Sequence, residues 1–89
     1  MVNTPISLLF SGRRLREWRE RAGLTQRELA EKCCLSRYQI SRWEVGTAKP
    51  RPGALKLLTL GLGEALGRPA HRMNAFTVDD LLEAGRRPL

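Results

Sequence analysis

The sequence predicts an all-α protein, a compact bundle of about five short helices forming one domain. Three observations carry this expectation. Apolar residues recur at helical spacing, as at Leu15, Trp18 and Ala22, which fall at i, i+3 and i+7. Two helix-start signatures, Thr25-x-x-Glu28 and Ser36-x-x-Gln39, stand eleven residues apart. Finally, the 89 residues must be held by apolar packing alone, which a chain this small achieves with one core. Cys33 and Cys34 are adjacent and so poorly placed for a disulfide with each other. With the single histidine, His71, they fall short of any zinc spacing.

The elements follow in order. Residues 1–11 read as an arm: Thr4-Pro5 disfavours an early helix, and Ile6, Leu8, Leu9 and Phe10 need burial somewhere. Ser11 is a candidate N-cap for a first helix from Gly12 to Ala22, ended by Gly23. Residues 12–67 form the main body. In it a helix of about 25–33 carries Leu29, Ala30 and Cys33 inward, and a helix of about 36–45 carries Ile40 and Trp43 inward. The two caps leave a break of about three residues, the geometry of a helix-turn-helix. Gly46 stops the second of these helices, and TAKPRPG (47–53) reads as a loop. A fourth helix begins near Ala54; Leu55, Leu57, Leu58, Leu60 and Leu62 surround it on most sides, which predicts a central, buried helix. Gly61 and Gly63 either end it or mark a close backbone approach. Residues 68–89 are a linker and a short C-terminal helix of the same domain, capped by Thr77, with Leu81 and Leu82 inward and Gly85 at its end.

Charge placement narrows the partner. The chain has 16 Lys and Arg against 9 Asp and Glu, net +7. Twelve basic and five acidic residues lie between Gly12 and Leu57, so the flanking segments sum to zero. Thirteen of the basic residues are Arg, suited to bidentate contact with phosphate or guanine. A solvated basic surface is the plain reading; clustering on one motif points instead to a polyanion. No secretory signal is expected in Met1 to Ser11, and no apolar run reaches membrane-spanning length, so a cytoplasmic location is expected. No paired carboxylates, nucleophile–histidine pair or phosphate-cradling glycine loop supports an enzyme.

The outward face of the 36–45 helix offers Arg37, Tyr38, Ser41 and Arg42. Arginines, a tyrosine and small polar groups on a basic protein suggest a reader of double-stranded DNA. Arginine pairs two donors with guanine O6 and N7, and tyrosine can hydrogen bond or pack on a thymine methyl. Gln39 has two readings: glutamine can read adenine, but at the third position of a capping box it also closes the helix start, and it lies toward the buried edge of the helix. Gln26 sits at the front of a helix whose free amides can receive a phosphate. Ser41, Thr47, Lys49 and Arg51 are further candidates for backbone contacts, which set affinity rather than sequence choice. Trp18 and Trp43 fall on inward stripes and read as core. Arg19 is placed to pair with Glu44 or a nearby carboxylate and so tie the first helix to the third.

The run LREWRERAGLTQRELAEKCCLSRYQISRWEVGTAKP closely resembles the Cro/C1-type helix-turn-helix family of phage repressors, restriction–modification controllers and antitoxins. Its features are Arg19, Leu24-Thr25-Gln26, Leu29-Ala30, Ile40-Ser41-x-x-Glu44, Gly46 and Pro50, in order and without gaps. The resemblance implies a lambda-repressor-like bundle without cofactor or catalysis, with Arg37, Tyr38, Gln39 and Arg42 at DNA-facing positions. Two residues depart from the family pattern. Cys34 stands where a turn glycine is usual; in a left-handed backbone a cysteine there would cost about 1 kcal/mol. Val45 stands where phage members often carry Asn. The leading expectation is a repressor that binds a palindromic operator as a homodimer, through the arm or Met73 to Leu82. The alternative is an antitoxin that binds a protein toxin and its own operator.

Overall fold

A computed structural model describes residues 9–83. Ile6 and Leu8 of the arm, Gly85 and the tail from Arg86 lie outside the described residues. The described residues are all-helical in their main elements: α1 (Gly12–Arg21), α2 (Gln26–Cys33), α3 (Arg37–Val45), α4 (Pro52–Ala65), then a 3-10 turn (Val78–Leu81). No helix among the described residues is long and apolar enough to cross a membrane.

Local chemistry sets the helix starts. The Ser11 hydroxyl accepts the Arg14 amide at 3.2 Å. Thr25 and Glu28 form a reciprocal box, with the Glu28 amide donating to the Thr25 hydroxyl at 3.0 Å and the Thr25 amide to the Glu28 carboxylate at 2.8 Å. Ser36 and Gln39 repeat it at 3.1 Å in both directions. Each α-helix ends beside a residue of positive φ: Gly23, Cys34, Gly46 and Gly67. There an amide reaches back over the last turn to close it, as from Leu35 to the Ala30 carbonyl at 2.8 Å and from Thr47 to the Arg42 carbonyl at 3.0 Å.

The core gathers Leu15 from α1, Leu29, Ala30 and Cys33 from α2, Ile40 and Trp43 from α3, and Leu55, Leu58 and Leu62 from α4. Phe10, Phe76 and Leu81 close it from the ends of the chain. Each fully buried Leu, Ile or Phe among them contributes roughly 1.5–3 kcal/mol relative to exposure. The half-buried Trp18 adds a specific tie, donating its indole N–H to the Asp80 carbonyl at 2.9 Å and meeting Phe76 edge-on at 5.1 Å between centroids.

Four expectations are corrected. α4 starts at Pro52, not near Ala54, because Pro52 occupies its first turn, where its fixed φ suits the helix and its missing N–H is no loss. α4 is not enclosed on most sides either, for Leu57 and Leu60 are 39% and 45% exposed. The last helix is a 3-10 turn that stops at Leu81. Leu82 is extended and pairs antiparallel with Phe10, joined by the Ser11 amide to Leu81 carbonyl bond at 2.9 Å. Consequently Phe10, Phe76, Leu81 and Leu82, which were candidates for a dimer surface, are buried in the chain's own core. Among the large apolar residues of 73–82, Met73 is exposed.

Gly61 and Gly63 lie inside α4, and both mark close approaches. A Cβ on Gly61 would collide with the Cys33 sulfur, and one on Gly63 would stand 2.8 Å from the Arg68 carbonyl oxygen. Glycine here lets α2 and the linker pack directly on the α4 backbone.

Candidate nucleic-acid interface

α3 is held from behind and open in front. Ile40 and Trp43 are buried in the core, which fixes the helix's rotation about its axis. Its rear edge is anchored by Glu44, whose side chain is only 3% exposed. One Glu44 oxygen accepts the Arg19 Nε–H at 2.6 Å; the other accepts Arg19 Nη2–H and Gln26 Nε2–H, each at 3.0 Å. Arg19 also donates from Nη1 to the Leu24 carbonyl at 2.9 Å. The hydrogen bonding to Glu44 raises the Arg19 pKa, against the opposing effect of burial. One carboxylate thus joins α1, the start of α2 and α3.

The front of α3 carries Arg37, Tyr38 and Arg42, all exposed, with Tyr38 at 67%. The Arg42 guanidinium lies over the Tyr38 ring, 5.5 Å from its centroid. This stacking places the two side chains beside each other on the exposed face. Val45, 70% exposed, ends the helix.

Gln39 is exposed, not set toward the buried edge, because its side chain turns back to the helix start. Its Oε1 accepts the Ser36 amide at 3.1 Å and the Ser36 hydroxyl at 3.2 Å. Bidentate reading of adenine uses glutamine's oxygen as well as its NH2. The cap and that contact therefore compete for one atom.

The expected backbone-contacting residues divide in the same way. Gln26 is half-buried and turned toward Glu44. Thr47 is exposed and donates its hydroxyl proton to the Arg42 carbonyl at 3.2 Å. Ser41 is half-buried. Lys49 and Arg51 are exposed in the connection after α3. The Lys49 ammonium holds the Phe10 carbonyl at 3.2 Å, a link between this loop and the arm that no local sequence signal could reveal. Arg51 is the N-cap residue of α4 and makes no side-chain cap. The Gln26–Glu44 bond was likewise not foreseen, since a bond between residues 18 apart depends on how α2 meets α3.

A two-helix unit with one helix packed behind and an arginine-and-tyrosine face in front is a DNA-binding module by its geometry. Residues 15–67 match the Helix-turn-helix family of the Cro/C1 type, more than half of the chain. The chain belongs to this family of DNA-binding regulators. Comparisons with curated proteins and with solved structures each returned no match.

Proposed function

We propose that this protein is a sequence-specific transcriptional repressor that binds a palindromic operator as a homodimer, acts in the cytoplasm, and sets α3 in the major groove. The observation that carries this reading is the division of α3. Ile40 and Trp43 are buried while Arg37, Tyr38 and Arg42 stand together on the exposed side. A single module of this size buries little DNA surface, so two copies on half-sites about one helical turn apart supply the affinity.

Base reading falls to Arg37, Tyr38 and Arg42. Gln39 serves as the helix cap, and a contact from it to adenine requires release of Ser36. Lys49 and Arg51 hold phosphates, assisted by Gln26, Ser41 and Thr47 where the backbone comes within reach. The antitoxin reading takes second place, because the described parts of the arm and the C-terminal segment are occupied in this chain's core.

Selection of bound sites from random DNA tests the proposal. The expected product is a palindrome with guanine in each half-site. Arg37→Ala relaxes the preference at one symmetric position, by about 1–3 kcal/mol of discrimination. Uniform weakening across all sequences would instead make Arg37 a phosphate contact.

A further inference from the structure

α4 has a side that the chain's own core leaves uncovered, and it carries opposite charges at equal distances from a central leucine. Leu57 and Leu60 are exposed there. Lys56 and Glu64, also exposed, stand four residues before and four residues after Leu60. At 3.6 residues per turn, a step of four advances only about 40° around a helix. Lys56, Leu60 and Glu64 therefore form one stripe, with Leu57 beside it.

A second copy of this stripe laid antiparallel, with a two-fold axis at Leu60, sets each Lys56 against the partner's Glu64. It also places Leu60 against its own symmetry mate, as an isologous interface requires. The Glu64 carboxylate is open to such a pairing: it is 71% exposed and its ion pair with Lys32 is long, at 3.9 Å. Alongside the stripe, a groove of about 190 Å³ between α4 and the end of α2 gives a partner leucine somewhere to sit.

We infer that α4 is the surface through which a second copy of this chain docks, antiparallel and two-fold, with leucine at its centre and Lys56–Glu64 pairs at both ends. The inference deepens the homodimer in the proposed function and rests on that part of it. Two leucines and two charges a side fall well short of the ~800 Å² per partner of a standard interface, so the association is in the micromolar range or weaker.

The test is sedimentation equilibrium of the full chain without DNA, from about 10 µM to about 1 mM, with circular dichroism to confirm that each variant is folded. Wild type is expected to dimerise. Lys56→Glu and Glu64→Lys each place like charges together at both ends and weaken association by about tenfold or more. An equimolar mixture of these two variants restores opposite charges at both ends, and association returns to within about threefold of wild type. Leu60→Gln weakens it without rescue. A wild type monomeric at about 1 mM, as when this side of α4 serves a different protein, overturns the inference. So does a mixture no better than its components, or a Leu60→Gln variant that dimerises normally. A dimer with the expected charge behaviour supports the inference even if no DNA is bound; the regulator reading is then what fails.

Discussion

Cys34 adopts φ 59° and ψ 39°, a left-handed conformation, at the end of α2. The other three α-helices use glycine for the same task. A side chain costs about 1–2 kcal/mol in that region, while glycine's greater freedom in the unfolded chain offsets part of any gain. Since Cys34 is exposed, its replacement opens no cavity. Cys34→Gly is expected to raise stability by roughly 0.5–1 kcal/mol, read as a higher urea midpoint at unchanged slope. Its neighbour behaves oppositely. Cys33 is buried, and burial, with a smaller contribution from Cys34, pushes its thiol from 9.0 up to about 11. As pH rises past 9 the unfolded chain loses this proton while the folded chain keeps it. The thiol's contribution to stability is therefore intact below about pH 9 and is lost toward pH 11. Urea midpoints measured across that window should fall, and Cys33→Ala should flatten the fall.

At the scale of elements, the helices hold together by one polar tie and several tight backbone approaches. Removing the Glu44 carboxylate leaves Arg19, whose side chain is only 11% exposed, with its charge unpaired and only the Leu24 carbonyl to receive it. Glu44→Ala should cost about 3–5 kcal/mol, seen in thermal unfolding, well beyond what losing an exposed pair such as Arg13–Glu17 would do. Gly61→Ala should also destabilise, by roughly 1–3 kcal/mol, although alanine is by itself the better helix former by about 1 kcal/mol. Cys33→Ala in the same chain should recover much of that loss, because the collision is with the Cys33 sulfur. These two sites also show where the sequence is legible. The starts of α2 and α3 could be read directly, since a capping box closes within four residues. A structural ion pair from Arg19 was legible from its place in the motif, while the choice of Glu44 over a nearby carboxylate depends on how α1 meets α3. The start of α4 was misplaced because Arg51-Pro52 reads equally well as loop or as first turn. Its two exposed leucines were missed because which side of α4 is covered depends on where α2 and the C-terminal segment land. Within the interface, the exposure of Arg37, Tyr38 and Arg42 followed from helical spacing. The engagement of Gln26 with Glu44 and of Lys49 with Phe10 did not, for both cross between elements.

For the molecule as a whole, the decisive quantity is charge. The net +7 lies within residues 12–57, the part that contains α1, α2, α3, the connection to α4 and the start of α4 with Lys56. Of these cations, Arg19 is occupied with Glu44, while Arg13 and Arg16 pair with Glu17 and Glu20 along α1. Lys49 and Arg51 stand exposed beside the end of α3, where a DNA backbone would run if α3 entered the groove. Two phosphate contacts per copy, four per dimer, release about four counterions and give a slope near −4 for log affinity against log salt. Raising salt from about 50 to about 200 mM should then weaken binding roughly 200-fold. Lys49→Gln removes one contact from each copy, so the slope should move to about −2 on specific and nonspecific DNA alike. Arg51→Gln should do the same without disturbing the Lys49–Phe10 link, which separates loss of charge from loosening of the loop. Arg37→Ala should leave the slope nearly unchanged while altering sequence preference, since a base contact releases few ions. An affinity indifferent to salt over this range would mean that these cations do not face the backbone, and that α3 does not approach DNA in the orientation the fold gives it.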